Sequence, residues 1–241
     1  MRLAIISDIH GNLHALELVL ADLGKANVDQ VICLGDVASL GPQPREVIVR
    51  LKELKIPTIM GNHDNYLLNP ELTKSHLPWL RELELWCRGL LSEDDMDFLS
   101  SFQPQISFPL DQNTTITCFH GSLRSNEEFL FPDTPSETLE EIFAGQDTNL
   151  FSGGHTHVQM FRQYKDVTLL NPGSVGMPFE YPTPGPDMRA YHRAEYAIVD
   201  MTDGRLTFDL RRIPIDLEQL TKAALSSGMP DAERWLKAWD V

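Results

Sequence analysis

The N-terminal part of the chain alternates short apolar segments with helical patterns, and this alternation limits the fold class. Residues 3–6, 31–34 and 56–60 are apolar and rich in branched side chains, as buried strands are. Between them, residues 13–23 and 44–54 carry apolar side chains at helical spacing. Successive strand–helix units predict an α/β fold, in which functional residues lie at the carboxyl ends of the strands.

The first apolar segment is followed by two side chains that bind metals well, Asp8 and His10. Side chains alternate along an extended chain, so Asp8 and His10 are expected on one face with Ile9 turned away. A carboxylate and an imidazole side by side form half of a metal site. The other ligands are then expected at the ends of other strands.

The remaining sequence is predicted to complete one domain over residues 1–241. Residues 66–103 carry apolar side chains at helical spacing and predict a helical insertion after the third strand. A Pro- and Gly-rich loop at 174–192 is expected beside the site, and helices are expected in the C-terminal segment 213–241. The other strands are expected at 105–110, 114–119, 149–152, 158–162, 167–170, 195–200 and 205–212.

The net charge of −15 restricts the partners that this chain can bind. Duplex nucleic acid and anionic membranes both attract basic surfaces, so neither partner is expected. Small anionic substrates are compatible with the charge, because bound divalent cations reverse its local sign. The short apolar run before Asp8 does not predict a signal peptide. Three cysteines, Cys33, Cys87 and Cys118, indicate reduced core thiols and a cytoplasmic location.

Five predicted strands are followed by residues of metal-ligand type. Taken alone, an Asp after Gly is usually a turn residue, and a single His is usually structural. Five such endings in one chain are difficult to explain as turns placed at random. Oxygen and nitrogen donors without thiolates suit Mn, Fe, Zn, Ni or Co. The residues concerned are Asp8 and His10, Asp36, Asn62 and His63, His120, and His155 and His157.

In this order, these residues resemble the motifs of the calcineurin-like metallophosphoesterases. The resemblance covers roughly residues 1–200 and rests on Asp8-Ile9-His10, Gly35-Asp36, Gly61-Asn62-His63-Asp64, His120 and Gly154-His155-Thr156-His157. It implies a two-sheet αββα sandwich, an α/β fold of four layers. It also implies two divalent metal ions, with Mn as the first choice.

The same resemblance implies a role for each motif residue. Asp8, His10 and His157 would bind one metal, and Asn62, His120 and His155 would bind the other. Asp36 would bridge both metals, as a carboxylate can and an imidazole cannot. A hydroxide bridging the metals would attack phosphorus in line, and His63 would give a proton to the leaving oxygen.

Departures from the motifs indicate the branch of the family. Protein Ser/Thr phosphatases of the superfamily carry Asp-Arg-Gly after the bridging Asp, whereas Val37 and Ala38 follow Asp36 here. The phosphate-binding arginine and the Asp partner of the catalytic histidine are therefore missing at the matching positions. Residues 35–42 and 171–176 instead resemble small prokaryotic phosphodiesterases of the YfcE and Vps29 type.

This resemblance implies hydrolysis of a small phosphodiester, with nucleotide-derived diesters as one candidate class. Met177 and Phe179 stand where that group commonly has Gln and Arg, so no substrate is carried over through their loop. Two alternatives stay open: a metal-dependent phosphomonoesterase, and a Vps29-like interaction scaffold without activity. A phosphomonoesterase needs a basic clamp for its dianionic substrate, for which the candidates are Arg124, Arg189 and Arg193.

Overall fold

The computed structural model describes residues 1–73, 77–182 and 189–240, which form two mixed β-sheets flanked by helices. The strands are β1 (Arg2–Ile6), β2 (Gln30–Cys33), β3 (Gln105–Pro109), β4 (Thr115–Phe119), β5 (Leu150–Ser152), β6 (Met160–Tyr164), β7 (Val167–Asn171), β8 (Arg193–Thr202) and β9 (Arg205–Pro214). The α-helices are α1 (Leu13–Ala26), α2 (Pro44–Leu54), α3 (Asn62–Leu68), α4 (Pro78–Gly89), α5 (Glu93–Ser100), α6 (Ser136–Phe143), α7 (Leu217–Ser227) and α8 (Ala232–Lys237).

The two sheets differ in size and share a mixed topology. The smaller sheet has the order β2-β1-β8-β9, with β1 parallel to β2 and antiparallel to β8. The larger sheet has the order β3-β4-β5-β7-β6, and its central strands β4, β5 and β7 are parallel. In both sheets the parallel strands end at the edge where the predicted ligands follow in sequence.

Three apolar cores hold the layers together, and alternation along β1 separates two of them. Leu3 and Ile5 face the core between the sheets, whereas Ala4 and Ile6 face the core beneath the helices. A third core packs α6 against the outer face of the larger sheet. This order of layers is helix, sheet, sheet, helix, and it confirms the predicted αββα sandwich.

The predicted third strand at 56–60 forms two isolated bridges, Cys33 with Thr58 and Ile59 with Gln103. Pro57 has no N–H to donate to a ladder, which limits pairing in this segment. The chain then enters α3 at Asn62, so this predicted ligand lies in the first turn of a helix.

The helical insertion consists of the end of α3, a 3₁₀ turn at Pro70–Leu72, α4 and α5. Parts of two predicted segments, 74–76 and 183–188, lie outside the described residues, as does residue 241. Cys33, Cys87 and Cys118 are buried free thiols, as predicted. Among the helices described, none is long and apolar enough to cross a bilayer.

Candidate metal centre

Two clusters of buried side chains lie at the carboxyl ends of the parallel strands. The first cluster consists of Asp8, His10 and His157, and the second cluster of Asp36, His120 and His155. Within each cluster the ligand atoms lie within 4.8 Å of one another. Such spacing allows three side chains to bind one ion.

Asp36 lies between the clusters, and Asn62 lies at the second one. Asp36 Oδ2 is 3.3 Å from His120 Nε2 and 3.8 Å from His10 Nε2, which belong to different clusters. Asn62 Oδ1 is 3.0 Å from His120 Nε2. The structure therefore brings together every predicted ligand and places Asp36 where one carboxylate can reach both clusters.

The backbone of the clusters differs from the sequence prediction. Strand β1 ends at Ile6, and Asp8 and His10 follow it with φ of 53° and 47°. The expectation that Asp8 and His10 project from an extended segment is therefore wrong. His155 and His157 are likewise left-handed, with φ of 67° and 57°. Such conformations cost roughly 1–3 kcal/mol each in a non-glycine residue.

Backbone hydrogen bonds hold the ligand loops in these conformations. The N–H groups of Asp8 and His10 donate to the carbonyls of Gly35 and Asp36 at 3.0 and 2.9 Å. On the other side, Gly176 N–H donates to the carbonyl of Asp8 at 3.0 Å. The loop after β1 is thus fixed between the loop after β2 and the 171–177 turn, which offsets its strain.

Close approach of two glycines brings the second and third loops together. Gly35 has φ of +106°, and a Cβ there would lie 2.5 Å from the backbone nitrogen of Gly61. A Cβ on Gly61 would lie 2.1 Å from Asp36 Oδ1. Larger residues would therefore displace the carboxylate that lies between the clusters.

Hydrogen bonds to backbone carbonyls fix the tautomers of two imidazoles. His120 Nδ1–H donates to the carbonyl of Leu34 at 2.8 Å, and His157 Nδ1–H donates to the carbonyl of Met177 at 2.6 Å. Each ring then presents the lone pair of Nε2 to its cluster, as metal-binding histidines do. His157 Nε2 lies 3.0 Å from His10 Nε2, so ligand-type nitrogens converge in the first cluster.

Three buried atoms of the clusters have no hydrogen-bond partner among the described residues. They are Asp8 Oδ1, Asp36 Oδ2 and His155 Nε2. Unpaired buried polar atoms are costly, and carboxylate oxygens more so. Divalent cations would satisfy these atoms, so the residues present fit a pair of metal ions.

The pKa shifts also indicate that the two clusters favour positive charge. Burial opposes ionisation of Asp8 and Asp36, but the histidines beside them outweigh it and lower the pKa of both carboxyls. Burial lowers the pKa of His10 to about 3, which leaves its imidazole neutral. Burial also disfavours charge on His120, yet Asp36 raises its pKa to about 9. Asp36 thus favours positive charge beside it, which a bound cation would also supply.

His63 lies beside the clusters but belongs to neither. Its ring centroid is 5.4 Å from that of His10, and its backbone N–H donates to Asp36 Oδ1 at 2.9 Å. Burial disfavours the imidazolium, but Asp36 and a hydrogen bond to Glu84 outweigh it and raise the pKa of His63. His63 therefore lies close to both clusters without offering a ligand atom to either, and its role as an acid stays a prediction.

Two carboxylates near His63 were missed by the sequence interpretation. Glu84 Oε1 lies 2.6 Å from His63 Nδ1, and Asp64 accepts backbone N–H groups of Asp36, Val37 and Gly61. The sequence contained a pattern that could have identified Glu84, because Glu84 lies at helical spacing from the apolar residues on the buried face of α4. Asp64 was visible only as a motif residue without an assigned contact.

Aromatic rings border the site. Phe129 stacks on His155 with ring centroids 4.2 Å apart, and 54% of its surface is exposed. Phe179 stacks on His157 at 4.6 Å. Phe179 thus covers the imidazole of His157, a predicted ligand.

Two of the three arginines named as candidates for a basic clamp are paired with carboxylates. Arg124 pairs with Glu128 and Glu141. Arg193 pairs with Glu195 at 2.7 Å. Their charges are therefore engaged by carboxylates. The third candidate, Arg189, is an exposed residue of the 174–192 loop.

Comparisons with known proteins agree with the fold and the motif order. Residues 1–204 match the family model described as the calcineurin-like phosphoesterase superfamily domain. The uncharacterized protein MJ0912 of Methanocaldococcus jannaschii is 27% identical over 251 aligned positions, covering 97% of this chain and 95% of the relative. Phosphodiesterase YfcE of Escherichia coli is 27% identical over 192 positions, covering 74% of this chain and 81% of that protein.

A solved structure of similar length supports the same conclusion. The crystal structure of a metallophosphoesterase from Sphaerobacter thermophilus superposes with a TM-score of 0.76 at 27% identity, and 99% of each chain is covered. The chain therefore belongs to the calcineurin-like phosphoesterase superfamily.

Proposed function

We propose that this protein is a divalent-metal-dependent phosphoric ester hydrolase acting on a small phosphodiester. One observation carries the proposal: Asp36 of the second cluster also lies 3.8 Å from His10 of the first cluster, and His63 lies beside both clusters without joining either. A scaffold has no need of unpaired buried ligand atoms, which are costly without a metal. A hydrolase needs them, together with a separate proton donor.

The first metal would be held by Asp8, His10 and His157, and the second by Asn62, His120 and His155. Asp36 would bind both. The two ions would lower the pKa of a bound water and neutralise the phosphoryl oxygens. We favour Mn among Mn, Fe, Zn, Ni and Co, all of which suit these oxygen and nitrogen ligands.

The chain's own residues would orient these ligands and supply a proton. Leu34 and Met177 fix two imidazole tautomers through their carbonyls. His63 would donate its proton to the leaving oxygen, a contribution that is typically about 10²–10⁴ in rate. Its raised pKa favours the protonated form that a general acid needs.

Three observations favour a diester over a monoester. Arg124 and Arg193 are engaged by carboxylates, which leaves a dianionic phosphate with a poor clamp. The exposed ring of Phe129 beside His155 suits an ester group better than a second phosphate oxygen. A relative that is 27% identical over 192 positions bears the name phosphodiesterase YfcE. Nucleotide-derived diesters are one class that fits this description.

Two segments are proposed to border the substrate within the single domain of residues 1–241. The insertion at 66–103 contributes Glu84, which contacts His63. The loop at 174–192 contributes Phe179, which stacks on His157. The negative net charge supports small substrates rather than duplex nucleic acid or a membrane, and the buried free thiols support a cytoplasmic location.

The direct test is hydrolysis by metal-stripped protein to which single metals are restored. Bis(p-nitrophenyl) phosphate and p-nitrophenyl phosphate serve as the diester and the monoester. We expect turnover of the diester with Mn, little turnover without metal, and a lower kcat/KM for the monoester. A higher kcat/KM for the monoester would favour the phosphomonoesterase.

The scaffold alternative makes the opposite prediction. It expects no turnover of either ester with Mn, Fe, Zn, Ni, Co or Mg. Asp36→Asn is the matched variant, because loss of the shared carboxylate should abolish turnover and weaken both metals. Elemental analysis that finds one metal fully retained in this variant would contradict the bridging role.

A further inference from the structure

His63 has a carboxylate partner that comes from the helical insertion. Glu84 lies in α4, and its Oε1 is 2.6 Å from His63 Nδ1. The contact spans 21 residues of sequence and joins two different helices, α3 and α4. Such a short distance is typical of a charge-assisted hydrogen bond.

Glu84 is placed on the buried side of its helix. Leu83, Glu84 and Cys87 are the buried residues of α4, and Glu84 is only 5% exposed. Leu83 and Cys87 belong to the apolar core beneath the helices. These apolar contacts attach α4 to the fold, so a carboxylate is not required at position 84 for attachment.

The surroundings of Glu84 make its carboxylate unusual. Within the described part of the chain, its only ion-pair partner is His63, and Oε2 has no hydrogen-bond partner. A buried carboxylate with a single polar contact destabilises a fold relative to an apolar residue. A role for the contact with His63 in the reaction would explain why a carboxylate is present at position 84.

The chemistry of the contact defines what Glu84 does to the imidazole. A carboxylate accepts the Nδ1 proton, so Nδ1 is occupied and Nε2 is the nitrogen that remains for proton exchange. The backbone N–H of His63 is held at the same time by Asp36 Oδ1 at 2.9 Å. His63 is thus held at its backbone by Asp36 and at its ring by Glu84, with the ring beside His10 of the first cluster.

We propose that Glu84 is the positioning residue that directs Nε2 of His63 towards the leaving oxygen. This inference rests on the proposed hydrolase function. In the step itself, the oxygen of a water forms the new bond to phosphorus and releases one proton to solvent. The bond between phosphorus and the leaving oxygen breaks, and that oxygen takes the proton from Nε2. The imidazole is then neutral, and its Nδ1–H still donates a hydrogen bond to Glu84. Nε2 regains a proton from solvent.

Glu84→Gln tests the role, with Glu82→Gln as the matched control. Glu82 is an exposed residue of the same helix. The substrates are aryl methyl phosphodiesters whose leaving phenols differ in acidity. We expect Glu84→Gln to lower kcat about 10–100-fold for the poorest leaving groups, as loss of a supporting contact often does. We expect little change for p-nitrophenolate, an unchanged KM and an unchanged metal content.

A purely structural role would give a different pattern. Glu84→Gln would then lower the rates of all esters by one factor, together with the melting temperature. The double variant with His63→Ala should be no slower than His63→Ala alone, because Glu84 acts through His63. Equal loss across the series, or an additive loss in the double variant, would overturn the proposal.

A second measurement does not depend on activity. Long-range ¹H–¹⁵N spectra of the wild type should show a strongly downfield Nδ1 proton on His63, retained in Glu82→Gln and lost in Glu84→Gln. Absence of this proton in the wild type would refute the contact even if esters are hydrolysed. Presence of the proton without turnover of any ester would instead refute the hydrolase function, and the positioning role with it.

Discussion

Metal removal should destabilise the folded protein, because the unpaired buried atoms of the centre lose the cations that would satisfy them. Asp8 Oδ1, Asp36 Oδ2 and His155 Nε2 have no hydrogen-bond partner among the described residues. The unfolded chain has no such arrangement, so metal binds the folded state preferentially. The effect on stability therefore follows from the metal concentration relative to its Kd.

The magnitude follows from the number of clusters. One site occupied at 100 times its Kd stabilises the folded state by about 2.7 kcal/mol. Two clusters are present, so two occupied sites give about 5 kcal/mol. For a domain of this size, 1 kcal/mol corresponds to about 2–4 °C in Tm. Saturating metal should then raise Tm by roughly 10–20 °C over the chelated protein.

Differential scanning calorimetry across a metal titration measures this shift. Asp36→Asn should reduce the shift below the value for one site, since this carboxylate lies within reach of both clusters. Asp97→Asn is the matched control, because Asp97 is an exposed residue of α5. His63→Ala should keep the full shift. A Tm that does not change with the concentration of Mn, Fe, Zn, Ni or Co would refute the reasoning.

Three further predictions concern the acid, the fold and the loop packing. His63→Ala should lower kcat about 10²–10⁴-fold for poor leaving groups and keep its metals by elemental analysis; loss of metal would make His63 a ligand. Burial raises the pKa of Asp95, but the hydrogen bond from Lys52 outweighs it and lowers that pKa. Asp95 therefore stabilises the fold above its unfolded pKa of about 4, and this contribution is lost as pH falls through the lowered folded pKa. Urea titrations should show a weaker acid dependence in Asp95→Asn; an unchanged one would contradict this. Gly61→Ala should cost about 1–3 kcal/mol and weaken metal binding, because its Cβ would lie 2.1 Å from Asp36 Oδ1. Gly24→Ala is its control, since nothing lies within 4 Å there, and equal losses in the two variants would contradict the packing argument.

The α/β class was predictable because hydrophobic periodicity encodes it, whereas the αββα sandwich was implied by the resemblance to the calcineurin-like metallophosphoesterases. In β1, Leu3 and Ile5 face one core while Ala4 and Ile6 face another. A strand buried on both faces reads as a continuous apolar run, which the sequence analysis identified. The 56–60 segment was less predictable, because its pairing depends on Pro57 and on where α3 begins rather than on apolarity.

The membership of the two clusters was predictable from motif order, but their geometry was not. Alternation in an extended segment seemed to place Asp8 and His10 together, yet both residues are left-handed and follow the end of the strand. Their positions depend on hydrogen bonds to the carbonyls of Gly35 and Asp36. Contacts of this kind join distant loops, and a local pattern contains no information about them.

Glu84 shows why the carboxylate partner of His63 could not be identified from the motifs. The Asp partner that the protein Ser/Thr phosphatases supply for this histidine is missing at the matching position after Asp36, and the sequence analysis named no replacement. In the structure, the carboxylate that contacts His63 comes from α4, which follows α3 and the 3₁₀ turn in the sequence. Motif comparison searches one place in the sequence, whereas a hydrogen bond requires only that two atoms meet in space. The loops at the sheet edge thus provide the predicted metal ligands, and the insertion provides the carboxylate that contacts His63. Residues 66–103 are therefore where a search for differences in catalysis among related chains should begin.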